Sequence, residues 1–328
     1  MSKGVDDMKA IVVHKYGNSD VLSHEDVTVH KPGDNEALIR IEAIGVNFID
    51  IYHRKGLYPQ NLPYIPGMEA SGIVEEIGKN VTEVKKGDRV AYAMQIGSYA
   101  EYSIVPSWKL ARLPDGFDFR SGAAIMLQGM TAHYLAHDTY PLKKDDAALV
   151  HAAAGGVGRL LVQIAKLLGT TVIGTVSNEE KARIAEEAGA DDVIIYTRSN
   201  FEEEVKRLTD SKGVDVVYDS VGKTTFEKSL NCLKSRGHLV LFGQSSGVIP
   251  SVDLSLLSKN SLFITRPSLH HYVTSHSELL QRTKDLFKWI ESGMLKLRIH
   301  KTFPLENVSE AHELLESRQT AGKLLLIP

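Results

Sequence analysis

The chain has 328 residues, 43% of them apolar and 24% charged, with a net charge of −3. That length exceeds what one hydrophobic core usually serves and predicts two domains. The balanced charge argues against a nucleic-acid partner, the single cysteine, Cys232, excludes a disulfide framework or a four-cysteine zinc lobe, and no apolar run is long enough to span a membrane.

Residues 1–7 read as a loose extension before a strand near Met8. With two acids and no long apolar run, "MSKGVDDMKAIVV" does not read as a signal peptide, so a cytoplasmic location is expected. Up to about residue 125, short strands broken by Gly, Pro and Asp follow one another: "KAIVVHKYG", "EALIRIEAIGV", "ASGIVEEIG", "GDRVAYA", "GSYAEYSIVP". This texture predicts a β-rich, partly barrel-like domain with few helices. From about Thr131 strands alternate with helices. The strands are expected at Ala147–Ala152, Thr171–Thr175, Asp192–Tyr196, Val214–Asp219, His238–Gly243 and Leu262–Arg266. The helices between them are expected at Val157–Leu168, Glu179–Ala188, Phe201–Leu208 and Thr224–Leu233. Such alternation predicts α/β architecture with a parallel, doubly wound sheet. The tail holds a helix (Glu278–Glu291), a strand (Leu295–Ile299), a helix (Val308–Ser317) and a last strand, "KLLLIP", and is read as rejoining the first domain.

The most informative turn is "LVHAAAGGVGRLL". With Ala in its first slot, Ala153-x-Gly155-x-x-Gly158 fits a dinucleotide fingerprint: small residues allow a tight turn, close approach of a pyrophosphate and close helix–strand packing. Its place between a strand and a helix, at the head of an alternating series, raises it above a plain strand–helix turn. An NAD site usually has Asp or Glu at the end of the second strand to accept from the ribose 2′-hydroxyl. Here Thr175, Val176 and Ser177 stand there, with Glu179 and Glu180 opening the next helix and Lys181 beside them. Hydroxyls and a lysine suit a 2′-phosphate, so NADPH is expected.

Three clusters bear on chemistry. His133 and His137, at i,i+4, could share a helix face, but a metal needs a third ligand and Tyr134 stands where HExxH has its glutamate. "SLHHYV" offers His270 and His271 beside Tyr272 with no carboxylate to orient a ring, and reads as a polar loop or a proton donor. "GVNFIDIYHRKGLYP" gathers Asn47, Asp50, Tyr52, Arg54 and Tyr58; by pattern it is equally an ordinary polar loop.

That last run, with "PGMEASG", "GDRVAYA", "QGMTAHYL", "HAAAGGVG", "YDSVG", "FGQSSG", "TRPSL" and "ESRQTAGK", resembles the zinc-free quinone oxidoreductases, of the zeta-crystallin type, of the medium-chain dehydrogenase/reductase superfamily. The segments occur in order along nearly the whole chain. The resemblance implies a β-rich GroES-like catalytic domain (1–128, completed by 267–328) and a Rossmann NADPH-binding domain (129–266). In the zinc members of the superfamily a Cys stands at Asn47 and a His at Met68; an amide and a thioether bind zinc poorly, so no metal is expected. Three residues depart from the relatives: Gln128 where Lys is usual, Met68 where Thr or Val is frequent, and Ile195 where Asn precedes the tyrosine Tyr196.

The resemblance further implies hydride transfer from NADPH to a quinone near Asn47, Asp50, Tyr52, Tyr58, Gln128 and Thr131, with Tyr52 favoured for hydrogen bonding or proton supply. Phe48, Ile49, Tyr52, Thr131 and Tyr134 would line the nicotinamide side. Gly155, Gly156 and Val157 would meet the pyrophosphate. Ser177, Lys181, Tyr196 and Arg318 would hold the adenosine phosphate, and Gln244, Ser245, Thr265 and Arg266 would close over the nicotinamide half. A homodimer formed along the edge strand Leu262–Arg266 is implied as well. The competing readings are an NADPH-dependent reductase of enone or 2-alkenal double bonds, and an NADPH-binding structural or RNA-binding protein of the crystallin kind; the charge argues against the RNA binder.

Overall fold

The computed structural model describes residues 7–328, so residues 1–6 of the expected N-terminal extension lie outside the described residues. Contacts divide the chain into two units. A β-rich unit holds the chain up to Leu127 with Val273–Phe287 and Leu297–Pro328; a doubly wound unit holds Gln128–Tyr272 and Lys288–Lys296.

In the β-rich unit, β1 (Asp7–Val13) and β2 (Leu22–Thr28) form an antiparallel pair. β3 (Glu36–Val46) runs directly into α1 (Phe48–Arg54). This short helix occupies a run that pattern alone read equally as a loop. Its start is built by Asp50, whose carboxylate accepts from the Asn47 N–H at 2.8 Å, half of a capping box. β4 (Glu69–Ile77), β5 (Arg89–Ala93), β6 (Tyr102–Pro106) and β7 (Ala111–Arg112) follow. Next comes α2 (Phe119–Tyr134), which sequence patterning missed. Residues 122–126 and 129–134 of this helix are buried without a break, so it shows no polar face to set up a 3.6-residue stripe.

In the doubly wound unit, β8 (Ala147–His151), α3 (Gly156–Leu167), β9 (Thr171–Val176), α4 (Glu179–Glu187), β10 (Asp192–Ile195), α5 (Phe201–Leu208), β11 (Val214–Asp219), α6 (Phe226–Asn231), β12 (Leu233–Leu241), α7 (Ser255–Ser258) and β13 (Phe263–Thr265) alternate. The parallel sheet has the order β10-β9-β8-β11-β12-β13. β11 is buried at every residue, as a strand covered on both faces must be. One correction concerns Leu233, expected to end a helix. It begins β12, because the strand opens with an irregular stretch in which Arg236 takes φ 62° and the register to β11 shifts between Val214 and Val216.

The tail supplies α8 (His276–Glu291), β14 (Ile299–Pro304), α9 (Val308–Glu316) and β15 (Lys323–Ile327). The expected strand at Leu295–Ile299 lies later: Leu295–Arg298 is outside any strand, and β14 forms where the chain pairs in parallel with β15. β15 then lies antiparallel to β3, giving the sheet order β14-β15-β3-β4-β5-β7 with β6 also on β3. Ile39, Ile44, Tyr92, Tyr99, Leu324 and Leu326 belong to the core of this unit.

Candidate functional site

In the doubly wound sheet the winding reverses between β8 and β11, and open α/β sheets take ligands at the carboxyl ends of strands flanking such a point. The turn leaving β8 is there. Ala152 takes φ 52°, and Gly155 is the N-cap of α3 with no side chain capping the helix, the kind of helix start that suits an anion. The glycines serve close approach rather than a left-handed backbone. A Cβ on Gly158 would overlap the Ala152 carbonyl, and one on Gly156 would overlap the Gln128 carboxamide. Gln128 therefore lies directly against the phosphate turn.

β9 ends in Thr175 and Val176, with Ser177 next and no carboxylate at the strand end. Asn178 caps α4 by accepting from the Lys181 N–H at 2.9 Å, which fixes Lys181 in the first turn; burial holds its amine below the usual lysine range. Glu179, in the same turn, is paired with Arg198. Tyr196 lies just past β10 and is half exposed. Just past β12, Gln244 is buried and accepts from the Arg266 guanidinium at 2.6 Å. The Ser245 N–H donates to the Ser220 carbonyl, and Thr265 closes β13 opposite Val240. Thr131 and Tyr134 are buried on α2, Tyr134 stacked on Tyr272 at 4.2 Å. His133 and His137 do share one face, their rings 4.4 Å apart and stacked against Trp289.

Asn47, Phe48, Ile49, Asp50, Tyr52, Tyr58 and Arg318 lie in the β-rich unit. Register assembles the centre of this group. Leu324 pairs with Val46 and Ala70 with Ile44, so Lys323 and Glu69 flank Asn47 at one end of three adjacent strands. Lys323 Nζ donates to Asn47 Oδ1 (2.7 Å) and Glu69 Oε2 (2.5 Å). Asn47 Nδ2 donates to Glu69 Oε2 (2.8 Å) and the Gly45 carbonyl (3.1 Å), and Glu69 Oε1 accepts from the Leu127 N–H (2.7 Å). All three side chains are buried. Gly45 is required here, because a Cβ would overlap the Glu69 carboxylate and the Ala123 carbonyl.

A second chain of buried groups ends on Asp50. Arg54 donates to His312 Nδ1 at 3.1 Å, so His312 carries its proton on Nε2 and donates it to Tyr99 Oη at 2.9 Å. Tyr99 in turn donates to Asp50 Oδ2 at 2.9 Å, and the far side of Arg54 meets Glu316 at 2.6 Å. Burial, against the pull of these donors, pushes the Asp50 carboxyl up to about 7, and burial beside the Arg54 charge lowers His312 to about 3. Asp50 Oδ2 has two donors while Oδ1 is buried with no hydrogen-bond partner, so a proton taken up by Asp50 belongs on Oδ1. Tyr52, half-buried on α1, has the Phe48 ring at 6.2 Å and that of Tyr58 at 5.4 Å. Arg318 is exposed just past α9, with φ 59°.

The donor set at Asn47 does not fit a metal. Both ends of its amide are engaged by Lys323 and Glu69, Met68 offers only a thioether, and among the described residues no group of three His, Cys, Asp or Glu is placed to hold an ion. Sequence reading missed Glu69, Lys323, Tyr99 and His312. A lysine opening the apolar run "KLLLIP" was the one available signal, since a strand buried at every residue but its last leaves no place for an unpaired charge.

Two family models match: an alcohol dehydrogenase GroES-like domain over residues 33–115 and a zinc-binding dehydrogenase domain over residues 156–291. A quinone oxidoreductase of Pseudomonas aeruginosa is 46% identical over 98% of this chain and 99% of its own length. A 2-haloacrylate reductase of a Burkholderia species is 44% identical over 97% of this chain and 98% of its own. The structure of Escherichia coli quinone oxidoreductase complexed with NADPH superposes with a TM-score of 0.95 at 45% identity, covering 98% of this chain and all of that one. With a GroES-like unit, a Rossmann unit and this full-length similarity, the chain belongs to the quinone oxidoreductases of the medium-chain dehydrogenase/reductase superfamily.

Proposed function

We propose that the chain is an NADPH:quinone oxidoreductase that works without a metal, with a catalytic domain of residues 1–128 and 267–328 and a cofactor-holding domain of residues 129–266. The observation that carries this reading is the Asn47–Glu69–Lys323 cluster. The position that would carry a metal ligand is an amide held at both ends, so the acceptor must be electron-poor without Lewis-acid help, as quinones are.

When bound, NADPH supplies the hydride. The α3 N-terminus with Gly155, Gly156 and Val157 would bind its pyrophosphate, and Ser177, Lys181, Tyr196 and Arg318 its 2′-phosphate. Thr131, Tyr134, Gln244, Ser245, Thr265 and Arg266, with Phe48 and Ile49, would orient the nicotinamide half. Tyr52, with Tyr58 against its ring, would hydrogen-bond the acceptor oxygen. Asn47 and Asp50 fix the start of α1 and so the place of Tyr52, while Gln128 and Thr131 bound the reacting region; the rate gain comes chiefly from orientation.

Steady-state NADPH oxidation with ortho- and para-quinones tests the reading: turnover well above the cofactor-only background is expected, and none would refute it. Lys181→Ala and Arg318→Ala should each weaken NADPH about tenfold while leaving NADH nearly unchanged. Equal losses would remove the 2′-phosphate from their roles. The 44% identity to a 2-haloacrylate reductase favours reduction of an activated C=C bond as the second reading, and product analysis with an enone separates the two.

The edge strand β13 ends the parallel sheet with Phe263 53% exposed, which supports a homodimer formed there; a monomer in sedimentation would reject it. Cytoplasmic residence is supported by the lone buried Cys232 and by the lack, among the described residues, of a helix long and apolar enough to cross a membrane. Fractionation of native cells checks it, and recovery in the secreted or membrane fraction would overturn it.

A further inference from the structure

The carboxyl ends of three adjacent strands of the doubly wound sheet, β9, β8 and β11, carry a buried polar chain that the proposed reaction leaves unused. His151, the last residue of β8, pairs with Thr175 across to β9, while Val150 pairs with Tyr218, which puts His151 between Thr175 and Asp219. α6 brings Ser229 to the same place. His151 Nδ1 lies 2.8 Å from Thr175 Oγ1 and Nε2 lies 3.0 Å from Ser229 Oγ; Ser229 Oγ donates to Asp219 Oδ2 at 3.2 Å. All four residues are at most 1% exposed. The residue types are those of a nucleophilic triad, but the carboxylate is on the serine instead of the histidine and the group is sealed from substrate, so it serves no such chemistry.

Counting donors gives the chain a direction. The one Ser229 proton goes to Asp219, so Ser229 can only accept from His151, and Nε2 carries the imidazole proton. Nδ1 is then an acceptor, and the Thr175 hydroxyl donates to it. The order is Thr175 to His151 to Ser229 to Asp219. Burial, against the attraction of Asp219, lowers His151 and keeps it in the neutral form that this order needs.

Both ends of the chain hold loops. The Thr175 carbonyl accepts from the Ala153 N–H in the phosphate turn at 3.1 Å, and the next two residues lead to Ser177 and Asn178. Asp219 Oδ1 accepts from the N–H groups of Val221 and Gly222 at 2.7 and 2.9 Å, and Oδ2 from the Thr225 hydroxyl at 2.7 Å. The carbonyls of Ser220 and Val221 in turn accept from the N–H groups of Ser245 and Ser246 at 3.1 and 2.8 Å.

We propose that His151 is a positioning residue for the dinucleotide. Through this directed chain it locks the loop after β9, on the adenosine-phosphate side, to the loops after β11 and β12, on the nicotinamide side, so that the two halves of the cofactor are gripped together. The inference rests on the NADPH reading above and deepens it. A break at Ser229, remote from the phosphate, should loosen the grip on the adenosine half.

The test is calorimetric titration of the full chain with adenosine 2′,5′-bisphosphate, which carries only that half. Ser229→Ala and Thr175→Val should each weaken binding roughly tenfold by leaving a buried imidazole nitrogen unpaired. The double variant should lose little more than either one, because the chain is already broken. Thr175→Ser, which keeps the hydroxyl, should bind like wild type. The nitrogen-15 spectrum of the wild-type chain should show His151 neutral and protonated on Nε2, a readout that does not depend on any variant folding. Unchanged affinity in Ser229→Ala, losses that simply add, or a proton on Nδ1 would each overturn the inference while leaving NADPH binding intact. A wild-type chain that does not bind the bisphosphate would instead sink the NADPH reading, and this inference with it.

Discussion

Both units bury a polar network, and the two are built on different physics. In the β-rich unit Lys323, Glu69 and Arg54 are ionic groups with almost no exposure, and Asp50 sits among them with one oxygen unpartnered. In the doubly wound unit a neutral imidazole and two hydroxyls lead to one carboxylate, Asp219, that accepts from four donors. Burying a charge costs much unless it is paired, whereas removing one member of a relay built mostly of neutral groups breaks a hydrogen bond and not an ion pair. The first network should therefore be sensitive to the loss of one partner and to pH. The second should act on the shape of its loops.

The largest expected break is Lys323→Met. It leaves the Glu69 carboxylate buried with only neutral donors, and removing one partner of a buried pair costs about 3–5 kcal/mol. Denaturant unfolding measures it. Adding Glu69→Gln should recover much of the loss, because the uncompensated charge goes too. A single variant as stable as wild type would show that the pair is not a buried ionic one.

The acid limb of stability sharpens the contrast next. Asp50 has a folded-state value near 7, above its unfolded one, so between about 7 and about 4 the folded chain binds the extra proton and gains stability as pH falls. His312, lowered to about 3, behaves oppositely: from about 6.5 downward the unfolded chain takes the proton and the fold loses stability. The two slopes oppose each other across the shared window. Asp50→Asn should make the loss on acidification steeper, and His312→Gln should make it shallower, each on the order of 2–4 kcal/mol between pH 7 and pH 4. Midpoints of urea unfolding at a series of pH values check both signs, and parallel profiles for all three proteins would remove both groups from the titration.

The two networks were also unequally legible. The alternation of strands and helices fixed the doubly wound sheet, with Phe201–Leu208 and Val214–Asp219 found at the bounds expected for them, because strands covered on both faces read as continuous apolar runs. The turn from β8 into α3 was legible as a tight strand-to-helix turn because its residues are consecutive. The cluster around Asn47 was half legible: Asn47 and Asp50 are local, but Glu69 and Lys323 are 254 positions apart and meet only because β15 and β4 flank β3 on its two sides. No spacing rule reports a register. The Asp219 relay fails the same way, since His151 and Ser229 are 78 positions apart. α2 failed for another reason: a helix buried all round has no stripe to read.

The smallest expected effects separate grip from fold within the phosphate turn itself. At Gly158 an added Cβ meets the Ala152 carbonyl and the Ala153 Cα, both backbone atoms that cannot move alone. Gly158→Ala should therefore cost about 1–3 kcal/mol of stability through overpacking. At Gly156 the obstacle is the end of the Gln128 side chain, which can swing away, and the position is helical with an ordinary backbone. Gly156→Ala should move stability by less than about 1 kcal/mol, with the helix preference for alanine partly offsetting the shift of Gln128. Its effect should appear in NADPH affinity instead, because a methyl group and a displaced carboxamide would crowd the surface proposed to meet the pyrophosphate. Thermal unfolding and nicotinamide fluorescence titration of the two variants give both quantities. If Gly156→Ala lost stability as Gly158→Ala does and still bound NADPH normally, the turn would be a packing device, and the cofactor would have to be gripped elsewhere.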